Sequence, residues 1–480
     1  MADTDSLASL GHLIDGRIVR NDDTFPVTDP STGKVFAQCP QATDELLADA
    51  VGAAERAAGD WIALGADGRR KVIAEMATAL DEHIGDIVAI STLEKGSARG
   101  SAEAYVASYF MRHLADAEVP VDVVEDNDQR SVVMIRKPVG VVAAIAPWNA
   151  PILILCEKIA NALLVGDTVV AKPSPFTPLA TLALGELWKD IVPPGVLNIV
   201  AGGDELGAAL VRHPAVRMVS FTGSVAAGRQ IAQSAGAAMK NVLLELGGND
   251  AAIVLPDVDV DLVAEQVFNV AFLMSGQTCA AIKRLYVHRS IVEPMVAALE
   301  RRAEAAQPAQ NGVDGALDPL TTLPQYERVR MILDDAIERG AHVAAGGRSL
   351  DRDGYFVAAT ILTGVTADMK VVAEEQFGPL LPVIPFDDVE DALAAANATE
   401  YGLCGSIWTS DIAAGAELAA RLECGTTWVN SHGEVAPHIP YGGAKISGTG
   451  RTGGRNGIDA YAELQTQYVY KSPERVRASR

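Results

Sequence analysis

The segment GDTVVAKPSPFTPLATLALGELWKDIVPPGVLNIVAGG, residues 166 to 203, has the order strand, helix, strand. Short apolar runs, TVVAKP and VLNIVAGG, flank a segment with apolar residues at helical spacing. The alternation continues to residue 248 in DELGAALVRH, VRMVSFTGS, VAAGRQIAQSAG and NVLLELGG. Such alternation indicates parallel strands joined by right-handed crossovers. We therefore predict an α/β fold with a doubly wound, Rossmann-like sheet, which binds ligands beyond the carboxyl ends of its strands.

A second alternation of strands and helices begins at DAAIVLP, residues 250 to 256, and continues to about residue 430. It includes a helix that ends at SGQTC, the strand RLYVHR and the helix VEPMVAALERRAEAA. We interpret it as another α/β domain, because one hydrophobic core rarely serves more than about 250 to 300 residues. Elsewhere, apolar residues recur at helical spacing over residues 41 to 120, which predicts helices. The segment VDVVEDNDQRSVVMIRKPVG predicts a hairpin, and AYAELQTQYVYK predicts a terminal strand.

The charge balance disfavours two classes of partner. The chain has 39 Lys and Arg against 62 Asp and Glu, a net charge of −23. Such a chain is repelled by nucleic-acid phosphates and by anionic membrane surfaces. Residues 138 to 156 are apolar and almost long enough for a bilayer span, but Pro147 and Pro151 interrupt them and predict a strand, a turn and a helix start. The acidic start MADTDSLASL lacks the features of a signal peptide, so we expect a cytoplasmic location.

The cysteines argue against a disulfide framework and against a structural zinc site. They are scattered and include no CxxC pair, which is typical of a reducing compartment: Cys39, Cys156, Cys279, Cys404 and Cys424. Four histidines lack metal-ligand spacing, so no metal site is predicted: His213, His288, His432 and His438. We interpret Cys156, Cys404 and Cys424 as core residues.

Cys279, in SGQTCA, is either a buried small hydrophobe or a nucleophile, and only its neighbours can decide. FTGSVAAG, residues 221 to 228, lies where a strand turns into a helix, and the free N–H groups there favour a pyrophosphate, although the GxGxxG spacing is absent. Lys172 and Glu245 end two strands of the same predicted sheet, and Asn149 lies between two prolines. FTGSVAAG alone is about equally compatible with a purely structural turn, Glu245 alone is compatible with a simple edge residue, and for Lys172 and Asn149 alone the structural role is the more common one.

Together, and in this chain order, these segments resemble the aldehyde dehydrogenase superfamily. The resemblance extends from about residue 10 to residue 470 and is carried by IAPWNAP, GDTVVAKPSPFTP, FTGSVAAG, LLELGGND, SGQTCA, EEQFGP and PYGGAKISGTG. It implies that Cys279 attacks an aldehyde, that Asn149 and the Cys279 N–H hold the oxyanion, and that Glu245 activates water to cleave the thioester. It further implies that Lys158 and Glu463 relay protons from this base.

The resemblance also implies a cofactor, NAD, with NADP left open. Pro175 stands where many NAD-dependent members have a glutamate that binds the adenosine ribose, and the loss of that carboxylate makes a 2′-phosphate admissible. The implied cofactor-binding residues are Trp148, Lys172, Ser174, Phe221, Gly223, Ser224, Gly228, Leu246, Glu375 and Phe377.

The family's domain organisation can be carried over in the same way. It implies an NAD(P)-binding domain at residues 1–119 and 138–246, to which 437–458 return, and a catalytic domain at 247–436. Residues 120–137 and 459–480 would form an oligomerisation hairpin and a terminal strand, giving a homodimer or a homotetramer.

The substrate and two rival functions stay open at this point. Ala150 and Glu157 stand where members that favour short aldehydes often have bulky aromatic residues, so we expect a bulky, even aromatic, aldehyde. One rival is a CoA-acylating relative, although such relatives typically lack the base at Glu245. The other is a structural or binding protein that has lost catalysis, although Cys279, Asn149 and Glu245 are all present.

Overall fold

The computed structural model describes residue 7 and residues 9–308 and 317–472. The beginning of the acidic start and the last eight residues of the predicted terminal region, 473–480, lie outside the described residues. The strands are β1 (His12–Ile14), β2 (Arg17–Val19), β3 (Thr24–Asp29), β4 (Lys34–Pro40), β5 (Asp122–Asp126), β6 (Arg130–Pro138), β7 (Val141–Ile145), β8 (Thr168–Lys172), β9 (Leu197–Ile199), β10 (Val216–Thr222), β11 (Asn241–Glu245), β12 (Asp250–Val254), β13 (Ile282–His288), β14 (His342–Ala345), β15 (Thr360–Thr363), β16 (Leu380–Phe386), β17 (Cys404–Trp408), β18 (Thr426–Val429), β19 (Gly448–Thr449) and β20 (Ala462–Tyr470).

The helices pack on both faces of the two large sheets. They are α1 (Asp44–Ala63), α2 (Gly65–Glu82), α3 (Ile84–Lys95), α4 (Ala98–Ser101), α5 (Glu103–Asp116), α6 (Pro151–Val165), α7 (Leu179–Trp188), α8 (Asp204–Arg212), α9 (Val225–Ala237), α10 (Val260–Ala271), α11 (Val292–Ala305), α12 (Leu323–Glu338), α13 (Lys370–Ala373), α14 (Val389–Asn397), α15 (Ile412–Ala419) and α16 (Gly454–Ala460).

The first sheet has the strand order β19-β11-β10-β7-β8-β9-β1-β2. Its five central strands are parallel, whereas β19, β1 and β2 pair antiparallel at its edges. The chain order reverses between β7 and β10, which is the topological switch point of a doubly wound sheet. The predicted fold class is confirmed, and β7 and β8 are buried along their whole length, as expected for strands covered on both faces.

The second sheet has the strand order β14-β15-β16-β13-β12-β17-β18, and its strands are parallel except for β14. Its two faces pack against separate apolar clusters, one with α10 and α11 and one with α14 and α15. The predicted second α/β alternation is therefore present. The helix that precedes SGQTC ends earlier than predicted, at Ala271, because Met274 and Ser275 have positive φ angles of 50° and 54° and cannot continue an α-helix.

The predicted hairpin and terminal strand form one small sheet. β6 pairs antiparallel with β5 and, over nine residues, with β20. Apolar side chains remain exposed on this sheet and its approach: Val121, Val123, Val124, Leu464, Tyr468 and Val469.

The apolar segment at residues 138 to 156 is a strand, a turn and a helix start, as predicted. β7 is followed by a turn, and Pro151 occupies the first turn of α6, where its missing N–H has no cost. Among the described residues, no helix has both the length and the apolar character needed to cross a bilayer.

A buried ion pair supports the start of α6. Lys95 Nζ lies 2.9 Å from Glu103 Oε1, and both side chains are at most 7% exposed. Glu103 Oε2 also accepts a hydrogen bond of 3.2 Å from the Leu153 N–H in the first turn of α6. The pair therefore connects the helical layer to the segment that carries Asn149.

We expect Lys95→Met to lower the free energy of unfolding by about 3 to 5 kcal/mol, because it leaves the Glu103 carboxylate buried without its cation. Urea denaturation followed by circular dichroism measures this loss. The control is Lys71→Met, since Lys71 forms an exposed pair with Glu75 at 3.8 Å and its loss leaves the midpoint unchanged. An unchanged midpoint for Lys95→Met would show that the pair has no stabilising role.

Candidate active site

The candidate site lies between the carboxyl edge of the first sheet and the amino edge of the second. The parallel strands β8, β10 and β11 end at Lys172, Thr222 and Glu245. Cys279 lies three residues before the start of β13, and a Cβ placed at Gly248, just before β12, would lie 2.8 Å from the Cys279 carbonyl oxygen. The topology thus brings the two sets of predicted residues together at one cleft.

The cleft encloses about 530 Å³. Eight of the predicted site residues line it: Trp148, Asn149, Gly223, Ser224, Leu246, Cys279, Glu375 and Phe377. A volume of this size and a lining that combines aromatic, charged and backbone groups are typical of small-molecule sites.

The loop that carries Cys279 is held by its neighbours in SGQTCA. The Gln277 side chain donates hydrogen bonds to the Met274 and Pro319 carbonyls at 2.9 and 3.1 Å and accepts one from the Thr321 N–H at 2.8 Å. The Ser275 hydroxyl donates to the Asp318 carbonyl at 2.6 Å. These bonds fix a strained backbone, and such strain is a recurrent feature of functional loops.

Cys279 is a free thiol that is partly exposed at the cleft. Burial, and after it the Glu245 charge, raises the pKa of this thiol to about 12. The Asn149 side-chain amide donates a hydrogen bond of 2.9 Å to the Gln277 carbonyl. An amide NH₂ has two donors, so one N–H holds the loop and the other is available to an oxyanion.

Glu245 has the properties of a general base near neutral pH. It is 6% exposed, and its Oε1 has no hydrogen-bond partner among the described residues. Burial raises the pKa of its carboxyl group to about 8, and the Lys158 charge opposes the shift. A carboxylate with such a pKa can accept a proton from water at physiological pH.

Lys158 belongs to a buried polar chain behind Glu245. Its Nζ donates a hydrogen bond to the Ser220 hydroxyl at 2.9 Å, and that oxygen lies 2.7 Å from the Tyr461 hydroxyl. Burial lowers the pKa of Lys158 to about 8, while the carboxylates of Glu157 and Glu245 oppose the shift.

Glu463 is not brought to this chain of polar groups. It lies on β20 opposite Lys137, its side chain is 55% exposed, and its carboxylate is 3.9 Å from Arg217. The predicted relay role therefore needs correction, because a half-exposed edge-strand carboxylate is not positioned to exchange protons with Lys158. The carboxylate that acts on Lys158 together with Glu245 is that of Glu157.

Glu157 also differs from expectation. Its carboxylate interacts with the Thr452 hydroxyl and the Gly453 N–H and does not line the cleft, and burial raises its pKa. It therefore lends no support to a roomier substrate entrance. Lys158 follows it directly in α6, so the pair places opposite charges side by side in a buried helix.

Several predicted cofactor residues form the floor and wall of the cleft. Ser224 is the N-cap of α9, and its hydroxyl accepts a 3.2 Å hydrogen bond from the Ala227 N–H. Glu375 Oε1 accepts a 2.9 Å bond from the Gly248 N–H, and burial raises the pKa of its carboxyl group to about 7. The Phe377 ring meets Trp148 edge to face at 5.3 Å.

The remaining cofactor candidates support this surface from behind. Lys172 is 3% exposed, and burial lowers its pKa to about 8. Ser174 accepts a 3.3 Å hydrogen bond from the Phe176 N–H, and Phe221 is buried. A Cβ at Gly228 would collide with Leu246, so glycine permits close contact between α9 and the residue after β11.

Sequence reasoning missed other residues of the site. Arg229, Gln325, Arg328 and Glu400 line the cleft, and no local motif indicated them. Tyr441 was visible in the motif PYGGAKISGTG but had no assigned role, and its hydroxyl lies 3.8 Å from Cys279 Sγ. Among the described residues, no group of three or more His, Cys, Asp or Glu side chains is arranged to hold a metal ion.

The family comparison agrees with this geometry. The model of the aldehyde dehydrogenase family matches residues 18–467. The chain belongs to the aldehyde dehydrogenase family. Among curated aldehyde dehydrogenases, it is 36% identical to the lactaldehyde dehydrogenase of Escherichia coli, over 95% of this chain and 97% of that protein. It is also 36% identical to the phenylacetaldehyde dehydrogenase of Pseudomonas fluorescens, over 95% of each chain.

Solved structures share this fold over nearly the whole chain. An NAD⁺ complex of the Bacillus cereus enzyme is 33% identical, with a TM-score of 0.93 over 96% of this chain and 97% of that chain. An Escherichia coli enzyme described as NADP dependent is 33% identical, with a TM-score of 0.94 over 98% of this chain and 100% of that chain.

Proposed function

We propose that this aldehyde dehydrogenase family member oxidises an aldehyde to a carboxylic acid with NAD(P)⁺, through covalent adducts on Cys279. The observation that carries the proposal is the convergence of a cleft-facing thiol, a side-chain amide that is hydrogen-bonded to the loop of that thiol, and a buried carboxylate with a free oxygen: Cys279, Asn149 and Glu245. A nucleophile, an oxyanion donor and a base are the groups that acyl transfer needs.

In the first half-reaction, Cys279 Sγ loses its proton to solvent and forms a bond to the aldehyde carbon. The carbonyl oxygen becomes an oxyanion, which the free N–H of the Asn149 amide and the Cys279 backbone N–H stabilise. A bound nicotinamide cofactor would supply the acceptor for the hydride that leaves the substrate carbon. Cys279 is then left with the acyl group as a thioester.

In the second half-reaction, Glu245 takes a proton from water as the water oxygen attacks the thioester carbon. The carbon–sulfur bond breaks, the Cys279 thiolate leaves, and the carboxylic acid is released. Lys158, whose pKa burial lowers to about 8 and whose charge acts on Glu245, would pass the accepted proton to the polar chain behind it.

The residues of the cleft fit a dinucleotide. The N-terminus of α9 at Ser224 offers N–H groups to a pyrophosphate, and Lys172 ends β8, two strands away from β10, at the same sheet edge. Glu375 would hold the nicotinamide ribose, with Phe377 and Trp148 packing beside it. A Cβ at Gly247 would collide with the Glu375 carboxylate, so glycine at this position lets that carboxylate lie against the backbone.

We propose that NAD⁺ is preferred to NADP⁺. Pro175 has no carboxylate to repel a 2′-phosphate, but the charge that acts on the buried Lys172 ammonium is that of Asp204, at the start of α8. A carboxylate beside this lysine would repel a 2′-phosphate and partly restore what Pro175 lacks. Relatives of both kinds exist, since one neighbour is an NAD⁺ complex and another is described as NADP dependent.

The proposed substrate is a bulky aldehyde, including aromatic ones. Ala150, which directly follows Asn149, has a small side chain where a bulky aromatic one would restrict the substrate. The similarity to a phenylacetaldehyde dehydrogenase supports this class, whereas the similarity to a lactaldehyde dehydrogenase supports small hydroxyaldehydes.

The test is a panel of acetaldehyde, lactaldehyde, benzaldehyde and phenylacetaldehyde, each with NAD⁺ and with NADP⁺, followed by NAD(P)H absorbance. We expect kcat/KM to be higher for the aromatic aldehydes than for acetaldehyde, and higher with NAD⁺. Equal or better turnover of acetaldehyde would reject the substrate proposal, and a strong NADP⁺ preference would reject the cofactor proposal. No oxidation of any aldehyde would favour the inactive structural protein.

A dependence of the rate on added CoA would favour the CoA-acylating alternative. The buried Glu245 favours hydrolysis, because a base next to the thioester is needed to activate water but not to accept a thiol.

We further propose a homodimer or homotetramer through the β5–β6–β20 sheet, whose exposed apolar side chains include Val123 and Tyr468. The domain boundaries and the cytoplasmic location remain predictions.

A further inference from the structure

Tyr441 places a phenol between two sulfur atoms at the site. Its hydroxyl oxygen lies 3.8 Å from Cys279 Sγ and 3.6 Å from Cys404 Sγ. The backbone of Tyr441 is fixed, since its N–H and C=O each form a hydrogen bond of 2.8 Å with Thr452. The next residue, Gly442, borders the base, because a Cβ there would lie 2.7 Å from Glu245 Oε1.

The surroundings of Cys404 determine the direction of these hydrogen bonds. Cys404 is buried, and burial together with the Asp250 charge raises the pKa of its thiol, so it keeps its proton and donates to the phenol oxygen. Burial likewise raises the pKa of Tyr441 above its ordinary value, so the phenol is also protonated. Its single O–H then has Cys279 Sγ as its acceptor.

The charged groups around Cys279 mostly oppose a thiolate. Burial and, after it, the carboxylates of Glu245, Asp250 and Glu375 raise the pKa of the Cys279 thiol, whereas the contact with Tyr441 lowers it. The Lys283 ammonium also interacts with the last two of these carboxylates and with Cys279, but it donates a hydrogen bond to the Gly276 carbonyl. A neutral hydrogen-bond donor is therefore a means of stabilising the sulfur anion without adding charge.

We propose that Tyr441 is a further catalytic residue, whose hydroxyl, oriented by the Cys404 thiol, donates a hydrogen bond to Cys279 Sγ and stabilises the attacking thiolate. This inference rests on the proposed nucleophilic role of Cys279. It assigns a function to the phenol oxygen of the PYGG segment and to a cysteine that the sequence indicated only as a core residue.

The test is the rate of alkylation of Cys279 by iodoacetamide in the protein without cofactor, measured by peptide mass spectrometry between pH 7 and 9. We expect Tyr441→Phe to slow alkylation about three- to tenfold at a given pH, because the thiolate fraction falls while the remaining thiolate becomes more nucleophilic. The matched control is Tyr286→Phe, since Tyr286 is a buried tyrosine whose hydroxyl bonds to Arg284 at 3.1 Å. In Tyr286→Phe, the alkylation rate of Cys279 should equal the rate in the protein without substitutions.

A second variant keeps the size and the fold of the site. Site-specific replacement of Tyr441 by 3-fluorotyrosine makes the phenol a stronger donor, and we expect faster alkylation. Unchanged rates in the fluorinated protein, or in a folded Tyr441→Phe, would overturn the proposal. This readout is independent of turnover, so it separates failure of the tyrosine's role from failure of the proposed function, which would appear as activity retained by Cys279→Ala.

Discussion

Cys279→Ala is expected to lower kcat/KM for aldehyde oxidation by at least about 10⁴-fold, because removing a catalytic nucleophile removes the covalent pathway. No neighbouring group can replace it, since the other nearby thiol, Cys404, is buried behind Tyr441. Steady-state NAD(P)H formation measures the loss.

Cys424→Ala is the matched control. Cys424 is also a free cysteine, but it does not line the cleft and its sulfur contacts the Thr426 carbonyl at 3.4 Å. Its removal should leave kcat/KM unchanged. If Cys279→Ala retained activity close to that of Cys424→Ala, the covalent pathway through Cys279 would be excluded.

Glu245→Gln is expected to lower kcat by about 10² to 10⁴-fold while the first turnover remains fast, because only the hydrolytic half-reaction needs the base. The substitution keeps the size of the side chain and removes its ability to accept a proton. Stopped-flow absorbance should show a burst of NAD(P)H close to one per active site, followed by a slow phase. Loss of the burst itself would place Glu245 in the first half-reaction.

The pH dependence of hydrolysis follows from the same residue. Burial raises the pKa of Glu245 to about 8, and the carboxylate is the active form, so the rate should rise with pH through about 8 and then level off. This rise of the rate with pH should be absent in Glu245→Gln. If the rate of the variant still rose through pH 8, the titration would have to be assigned to another group, such as Lys158.

The central sheets were predictable because their strands are buried on both faces and therefore appear as continuous apolar runs between turns. The N-terminal strands were not predicted. β1 and β2 have three residues each, and β3 contains Pro26 and has a single buried residue, Val27. Such strands depend on pairing partners far along the chain, and local sequence carries little information about those partners.

Only those site residues that lie in recognisable sequence motifs could be predicted. Cys279, Asn149 and Glu245 lie in recognisable segments, and in the structure Cys279 and Asn149 line one cleft while the charge of the buried Glu245 acts on the Cys279 thiol. Glu463 was assigned a role by its motif, but its strand places it on the exposed small sheet. The contact between Tyr441 and Cys279 joins residues 162 positions apart, so only the tertiary structure could show it.

The most direct test of the central claim is mass spectrometry of Glu245→Gln after mixing with benzaldehyde and NAD⁺ and quenching in acid. The proposed mechanism predicts an acyl group on the peptide that contains Cys279, because the thioester forms but cannot be hydrolysed. An unmodified Cys279 peptide after an observed burst of NADH, or an acyl group on a different cysteine, would contradict it.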